Sequence, residues 1–306
     1  MRPVLNDSAL EKLFQKEGYV KVPFLTPEEV EELKAAYFDS LPESGGLISA
    51  EEKNLKEMIT YDFTFIDKNI DYKRKVFEII TQAFEKHYKH YLKGYKPIIA
   101  NFIRKKTETG EVPLHQNWAF IDERKATSVS IWCPLVDGTV ENGTLQVVPG
   151  THKRCGEIRG PMIHWELKNL KQSIVANDLI PLETKAGDAV ILDDSIVHYS
   201  AENHTNDLRL AIQLILIPEE LPSIHYHMDP EKSPNTVQML EVDKEFYMRF
   251  NPWEKSGNSN VIKTFKYKPF DMTYDDFRKT IYGKRFDEPG YEEKKSFLSK
   301  LKEVFS

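Results

Sequence analysis

His115-Gln116-Asn117 is the segment of this chain whose residue types could do chemistry. On an extended strand, positions 115 and 117 point to one face. Two ligand-type side chains so placed, joined by a distant histidine, make the 2-His-1-carboxylate arrangement that holds iron with positions left open. His198, just beyond Asp193-Asp194-Ser195, can supply the distant histidine. The carboxylate position, however, holds an amide. Asn117 offers a carbonyl oxygen but no charge, and hard cations favour carboxylate oxygen, so metal affinity is expected to fall. Asp122 and Glu123 are the nearby carboxylates; alternation puts Glu123 on the face of His115, but several residues too far along the strand.

A second group of residues points to an anionic ligand. Arg209 opens a strongly apolar strand, 208–217, in which Arg209, Ala211 and Gln213 share one face. The other face is Leu208, Leu210, Ile212, Leu214 and Leu216. A guanidinium inside a barrel is costly unless paired, and a carboxylate matches it bidentately. Ser200, two residues after His198, can add a hydroxyl.

The elements that must position these groups read as follows. Ser8-Ala9-Leu10-Glu11 suggests a capping box opening a helix that Gly18 ends. Thr26-Pro27-Glu28-Glu29 opens a second helix, and 69–92 has the apolar spacing of a long amphipathic one. From Pro97 the period changes to two. Strands are expected over 98–104, 114–121, 127–135, 144–148, 174–183, 188–192 and 208–217, separated by Gly, Asn and Asp turn signals. Segment 156–171 interrupts them as a long insertion. A final helix is expected over 292–304. Short strands so punctuated predict a mainly β fold with flanking helices, a sandwich or jelly roll.

Composition narrows the function classes. With 306 residues, 40% hydrophobic and 29% charged, the chain fits one decorated globular domain. Its net charge of −6 carries no concentrated basic stripe, so nucleic acid and anionic membrane surfaces are not expected partners. No apolar run approaches a membrane span and the N-terminus has no apolar leader core. Cys133 and Cys155 form neither a CxxC nor a zinc pattern and are expected as plain thiols in a reducing cytoplasm.

The order of motifs is specific as a set. Leu114-His115-Gln116-Asn117-Trp118, Ser130-Ile131-Trp132-Cys133-Pro134-Leu135, the run 141–153 with Pro149-Gly150-Thr151-His152-Lys153, Gly187-Asp188-Ala189-Val190-Ile191-Leu192, His198-Tyr199-Ser200-Ala201-Glu202-Asn203 and Arg209-Leu210-Ala211-Ile212 follow one another. With Glu17-Gly18-Tyr19 and Leu25-Thr26-Pro27 before them, they make residues 8–218 resemble the phytanoyl-CoA dioxygenase family of Fe(II)/2-oxoglutarate-dependent oxygenases. The resemblance implies a double-stranded β-helix, a cupin-like jelly roll. It implies iron on His115 and His198, with Asn117 where the family has Asp, and 2-oxoglutarate as co-substrate. It places the far carboxylate of 2-oxoglutarate on Arg209 and Ser200, with Trp132 lining the pocket and Gln116 at the middle of the triplet. An upstream family lysine has no clear counterpart; Lys53 and Lys56 are the candidates. His152 matches a loop histidine outside the metal site. The domain reading is one oxygenase unit: a helical layer over 1–95, the jelly-roll core over 96–218, and a C-terminal extension over 219–306 packed on the core.

The expected reaction is hydroxylation of a small organic substrate with O2 and 2-oxoglutarate. Asn117 keeps two alternatives open. One is a non-catalytic or altered-metal binding protein; the other is a 2-oxoglutarate-dependent halogenase, in which the open slot admits a halide. His225 and His227 are expected in a solvated loop, and Arg104, Lys105 and Lys106 in a solvated turn. The aromatic-rich tail suits core packing, a lid or a homodimer surface.

Overall fold

The structure is a computed structural model, and it describes residues 2–41, 61–250 and 259–291. The expected helix over 292–304, and Lys53 and Lys56, lie outside the described residues. Two helices and a strand open the chain: α1 (Ser8–Glu17), β1 (Tyr19–Pro23) and α2 (Pro27–Ser40). The N-cap of α1 is Asp7, not Ser8. Asp7 accepts from the amides of Ala9 and Leu10, while Glu11 turns back to the amides of Val4 and Leu5. A carboxylate one residue earlier outcompetes the serine hydroxyl for the free amides of the first turn. Thr26 and Glu29 form the expected reciprocal capping box of α2. After β2 (Asp62–Phe63), the long helix α3 (Ile70–Tyr91) starts from an Asn69 cap.

The core strands are β3 (Tyr95–Lys105), β4 (Val112–His115), β5 (Val129–Pro134), β6 (Leu145–Val147), β7 (Ile180–Pro181), β8 (Asp188–Asp193), β9 (His198–Ser200) and β10 (Arg209–Pro218). They form a six-stranded sheet in the order β1-β8-β5-β10-β3-β2 and a four-stranded sheet in the order β4-β9-β6-β7. All recorded pairings are antiparallel. The two sheets make a double-stranded β-helix, or jelly roll. β1 and β2 come from the N-terminal layer, so that layer is not purely helical; it contributes both edges of the large sheet.

Two segments expected as strands are not. Residues 116–121 leave β4 because their polar groups turn to the 156–171 insertion: Ala119 donates to Arg159 O, and Arg159 Nε donates to Asn117 O at 2.6 Å. Residues 174–183 split into helix α4 (Lys171–Asn177) and the short β7. Leu167, Leu170 and Ile174 recur at helical spacing and pack with Met272 and Phe277, which outweighs the alternation further on.

β10 shows how the sequence divides its faces. Leu210, Ile212, Leu214 and Leu216 bury outward against α1–α3 with Phe14, Val76, Ile80 and Phe84. Each such buried side chain contributes roughly 1.5–3 kcal/mol. Arg209, Gln213 and Ile215 face inward onto a cavity. Beyond the core, β11 (Ser223–His227), β12 (Thr236–Val242) and β13 (Ser259–Lys266) form a three-stranded sheet, with helices α5 (Lys244–Met248) and α6 (Tyr274–Ile281). Among the described residues no helix is long and apolar enough to cross a membrane.

Candidate active site

The cavity between the sheets measures about 230 Å³. It has a polar end, with His115, Asn117, His198, Ser200 and Arg209, and an aromatic end, with Tyr61, Phe63, Phe65, Trp118 and Phe120. His115 closes β4 and His198 opens β9, and the two are direct cross-strand partners. Their ring centroids lie 4.1 Å apart. Each Nδ1 is tied to a backbone carbonyl two residues back, His115 to Pro113 O at 2.7 Å and His198 to Ile196 O at 2.9 Å. An Nδ1–H held this way fixes the tautomer and leaves the Nε2 lone pair free for a metal. Burial pushes both imidazoles down, His198 further because His115 adds its charge, so both are neutral at physiological pH.

Asn117 follows on the same face. Its Nδ2 donates to Asp194 Oδ1 at 2.8 Å and to Ser130 Oγ at 3.0 Å. The hydroxyl of Ser130 gives its one proton to Asp194 Oδ1 at 2.6 Å, so it can only accept from Asn117. That assigns the amide nitrogen to the rear and turns Oδ1 toward His115, where it holds the imidazolium form up slightly against burial. Asp194 is fully buried, and burial raises its carboxyl to about 7. Among the described residues no group of three or more His, Cys, Asp or Glu side chains gathers as a metal site. The donor set at this point is thus two histidines and an amide oxygen.

Glu123 does not substitute. It is buried and paired bidentately with Arg159, at 2.8 and 2.7 Å, and its carboxylate is spent there. Asp122 instead caps a turn over 122–126. Gln116 faces away from the histidines: Nε2 donates to Cys155 O and Ser195 O, and Oε1 accepts from Trp165 Nε1 at 2.8 Å. It lines the same cavity and ties the insertion and the β8–β9 turn together. His152 sits with Gln15 and Arg285, away from the histidine pair. His225 is not in a solvated loop: it lies in β11, buried against Trp118, Phe246 and Phe250, because alternation continues past Pro218 into a third sheet.

The anion end is built around Gly143. Arg209 is 2% exposed and stacks its guanidinium 5.1 Å from the centre of the Trp132 ring. Its Nη2 donates to Gly143 O at 3.1 Å and to Ser200 Oγ at 3.3 Å, while its Nε has no partner. Among the described residues no carboxylate forms an ion pair with it. A buried guanidinium with so few acceptors among the described residues is costly unless another acceptor reaches it. Ser200 itself donates to Gly143 O at 2.7 Å. Gly143 has φ +70°, and a Cβ there would lie 2.1 Å from Ala201 O. Gly143→Ala should therefore cost more than about 2 kcal/mol, from strain and clash together, and loosen Arg209 with it. Urea unfolding beside wild type checks this, and an unchanged midpoint would contradict it.

The sequence does not single out Lys105 as a site residue; it is no part of a solvated turn. β3 runs one residue further than expected, and Ile99, Asn101 and Ile103 on the same strand face the cavity, which carries Lys105 inward as well. It pairs across the sheet with Arg209 and donates to Ser200 Oγ, Ser200 O and Ala201 O. Neighbouring Arg104 is paired with Asp62, and Lys106 alone of the three is exposed. Burial, then the charge of Arg209, push the Lys105 amine down to about 6. Between about pH 6 and its ordinary 10.5, the native chain thus binds fewer protons than the unfolded one, and stability should rise with pH across that window. Lys105→Met should flatten this rise, read as unfolding free energy from pH 6.5 to 9.

A family model described as phytanoyl-CoA dioxygenase (PhyH) matches residues 14–211. The chain belongs to the phytanoyl-CoA dioxygenase family. A curated relative, the phytanoyl-CoA dioxygenase domain-containing protein 1 homolog of Dictyostelium discoideum, is 34% identical over 115 residues. That match spans 35% of this chain and 41% of the relative. Phytanoyl-CoA dioxygenase 1 of Oryza sativa subsp. japonica is 31% identical over 115 residues, 36% of this chain and 40% of the relative. The matched stretch is thus less than half the length of either relative. Among solved structures, the non-heme alpha ketoglutarate dependent carbocyclase SnoK overlays with a TM-score of 0.53, at 15% identity, over 84% of this chain and 96% of that one. The epimerase SnoN, solved with Fe3+, alpha ketoglutarate and nogalamycin RO, gives 0.52 at 17% identity, over 88% and 97%. At these identities the overlays speak to the fold. Within the phytanoyl-CoA dioxygenase family, this member carries Asn117 at the third position of the triplet.

Proposed function

We propose that this protein is an Fe(II)/2-oxoglutarate-dependent oxygenase that hydroxylates a small, largely apolar substrate. The observation that carries the reading is one cavity holding two histidines with Nδ1 tied to backbone carbonyls and, on β10 of the other sheet, a buried arginine with no carboxylate partner among the described residues. His115, His198 and the Asn117 oxygen would hold the metal; Arg209, Ser200 and Trp132 would hold the far carboxylate of 2-oxoglutarate. Iron with 2-oxoglutarate supplies oxidation of an unactivated C–H bond by O2, coupled to decarboxylation of the co-substrate. The chain's own task is geometry. The backbone-tied imidazoles fix the metal face, Arg209 and Trp132 orient the co-substrate, and the aromatic end excludes water around the reacting carbon.

Substrate size and polarity follow from the walls. A cavity of about 230 Å³ lies below the roughly 300–1,000 Å³ of ordinary ligand sites, and the co-substrate takes part of it. Of its described lining residues only Arg209 is a lysine or arginine, so nothing there answers the phosphates of a CoA thioester. The locked amide of Asn117 fills the slot a halide would need, which favours hydroxylation over halogenation. The test is anaerobic reconstitution with Fe(II), addition of O2 and 2-oxoglutarate, and measurement of succinate. Arg209-dependent binding of 2-oxoglutarate without succinate, across a panel of small apolar substrates, would instead mark a binding protein.

A further inference from the structure

Asp194 is a carboxylate that the mechanism above does not use, and its setting is unusual. It is fully buried at the turn between β8 and β9, and its Oδ1 accepts from both Asn117 and Ser130. Among the described residues its Oδ2 is buried without a well-formed hydrogen bond, the Ser128 side chain offsetting only part of the cost of burial. Among the described residues no lysine or arginine forms an ion pair with it; the nearby buried arginine, Arg159, is committed to Glu123. A buried carboxylate without a cation is strongly unfavourable. The place for a counter-charge is the metal position one amide away, where Asn117 turns its oxygen toward His115.

Resting on the metal centre read above, we propose that Asp194 supplies, through the Asn117 amide, the negative charge that a carboxylate at position 117 would have placed on the metal directly. The ligand's two duties are split. Asn117 provides the contacting oxygen, and Asp194 provides the charge and fixes which end of the amide faces the metal. An amide N–H donated to a carboxylate draws electron density onto its own carbonyl oxygen, so Oδ1 becomes the stronger donor. Outer partners of this kind raise ligand basicity, and their removal typically weakens metal binding by about 10–100-fold. Ser130, donating to the same carboxylate oxygen and accepting from the amide, is a positioning residue for the pair. The residue change at 117 is then not the loss of a charge but its displacement by one hydrogen bond.

The experiment titrates metal-stripped full-length protein with Mn(II), followed by electron paramagnetic resonance, so that no turnover is needed. Four proteins are compared: wild type, Asp194→Asn, Asn117→Asp, and the exchange Asn117→Asp/Asp194→Asn. Asp194→Asn should weaken Mn(II) binding about 10–100-fold and raise the melting temperature of the metal-free protein, since an uncompensated carboxylate is gone. The exchange variant should recover wild-type affinity or better, because the charge then sits on the ligand. Wild-type affinity in Asp194→Asn, or no recovery in the exchange, overturns the inference and leaves the metal centre standing. A wild type that binds no Mn(II) overturns the centre and the inference together. Should Asp194→Asn fail to fold, the exchange decides alone: affinity below wild type refutes the split. Asn117→Asp, with two carboxylates facing each other, should show the lowest melting temperature of the four without metal and the largest rise on adding it; a smaller rise than wild type also counts against the proposal.

Discussion

Arg209→Met should weaken 2-oxoglutarate binding severely and at the same time make the ligand-free protein more stable. The two effects have one cause. In the free protein the guanidinium is buried, rests on Trp132, and among the described residues reaches only Gly143 O and Ser200 Oγ, with Nε unsatisfied. Removing one side of a buried, hydrogen-bonded charge pair costs about 2–5 kcal/mol of binding, roughly 30- to 5,000-fold. Methionine keeps much of the stem's packing and leaves no orphaned donor. Gly143 O stays satisfied by Ser200 Oγ at 2.7 Å, so the loop should hold. Calorimetric titration of the metal-loaded protein with 2-oxoglutarate reads the first effect, and thermal unfolding of the ligand-free protein reads the second. Unchanged affinity would remove Arg209 from the co-substrate site. A large drop in melting temperature would make it a structural residue, closer to the Arg159–Glu123 pair than to a ligand clamp.

The contrast between those two arginines shows what the sequence could and could not carry. Arg209 was legible because it interrupts an apolar alternation, and β10 keeps that alternation through its inward-facing residues. His115 and His198 are legible as candidates from their places at strand ends, and the fold makes them direct cross-strand partners. Arg159 gave no such signal, since it sits in the irregular insertion and meets Glu123 only in three dimensions. Asp194 is harder still: its neighbours Asn117 and Ser130 are 77 and 64 residues away in the chain. Lys105 lies one residue past the expected end of β3, enough for a buried lysine to look like a surface charge in the sequence. The strand expected over 114–121 stops at His115 for a different reason. Period-two patterning reports which residues are buried, not which backbone they pair with, and here the insertion takes the hydrogen bonds.

His198→Ala should eliminate metal binding and, with it, all succinate formation, while the fold survives. A site with two imidazoles and a neutral amide has less reserve than one with a carboxylate ligand, so the loss should exceed the roughly 10–100-fold seen when only an outer partner is removed. The His198 ring is buried with Nδ1 satisfied by Ile196 O, and burial holds its imidazole neutral. Alanine therefore leaves no unpaired charge, only a gap beside His115 and one carbonyl that water in the cavity can reach. Added imidazole should restore part of the metal affinity by occupying that gap, an outcome that general damage to the jelly roll would not give. Titration of the variant with Mn(II), with and without imidazole, reads this directly. Metal affinity equal to wild type would show that His198 does not ligate, and would sink the metal centre on which Asn117 and Asp194 depend. Rescue by imidazole would instead confine the damage to one coordination position, leaving β4, β9 and the Asn117–Asp194 pair as the frame that presents the rest.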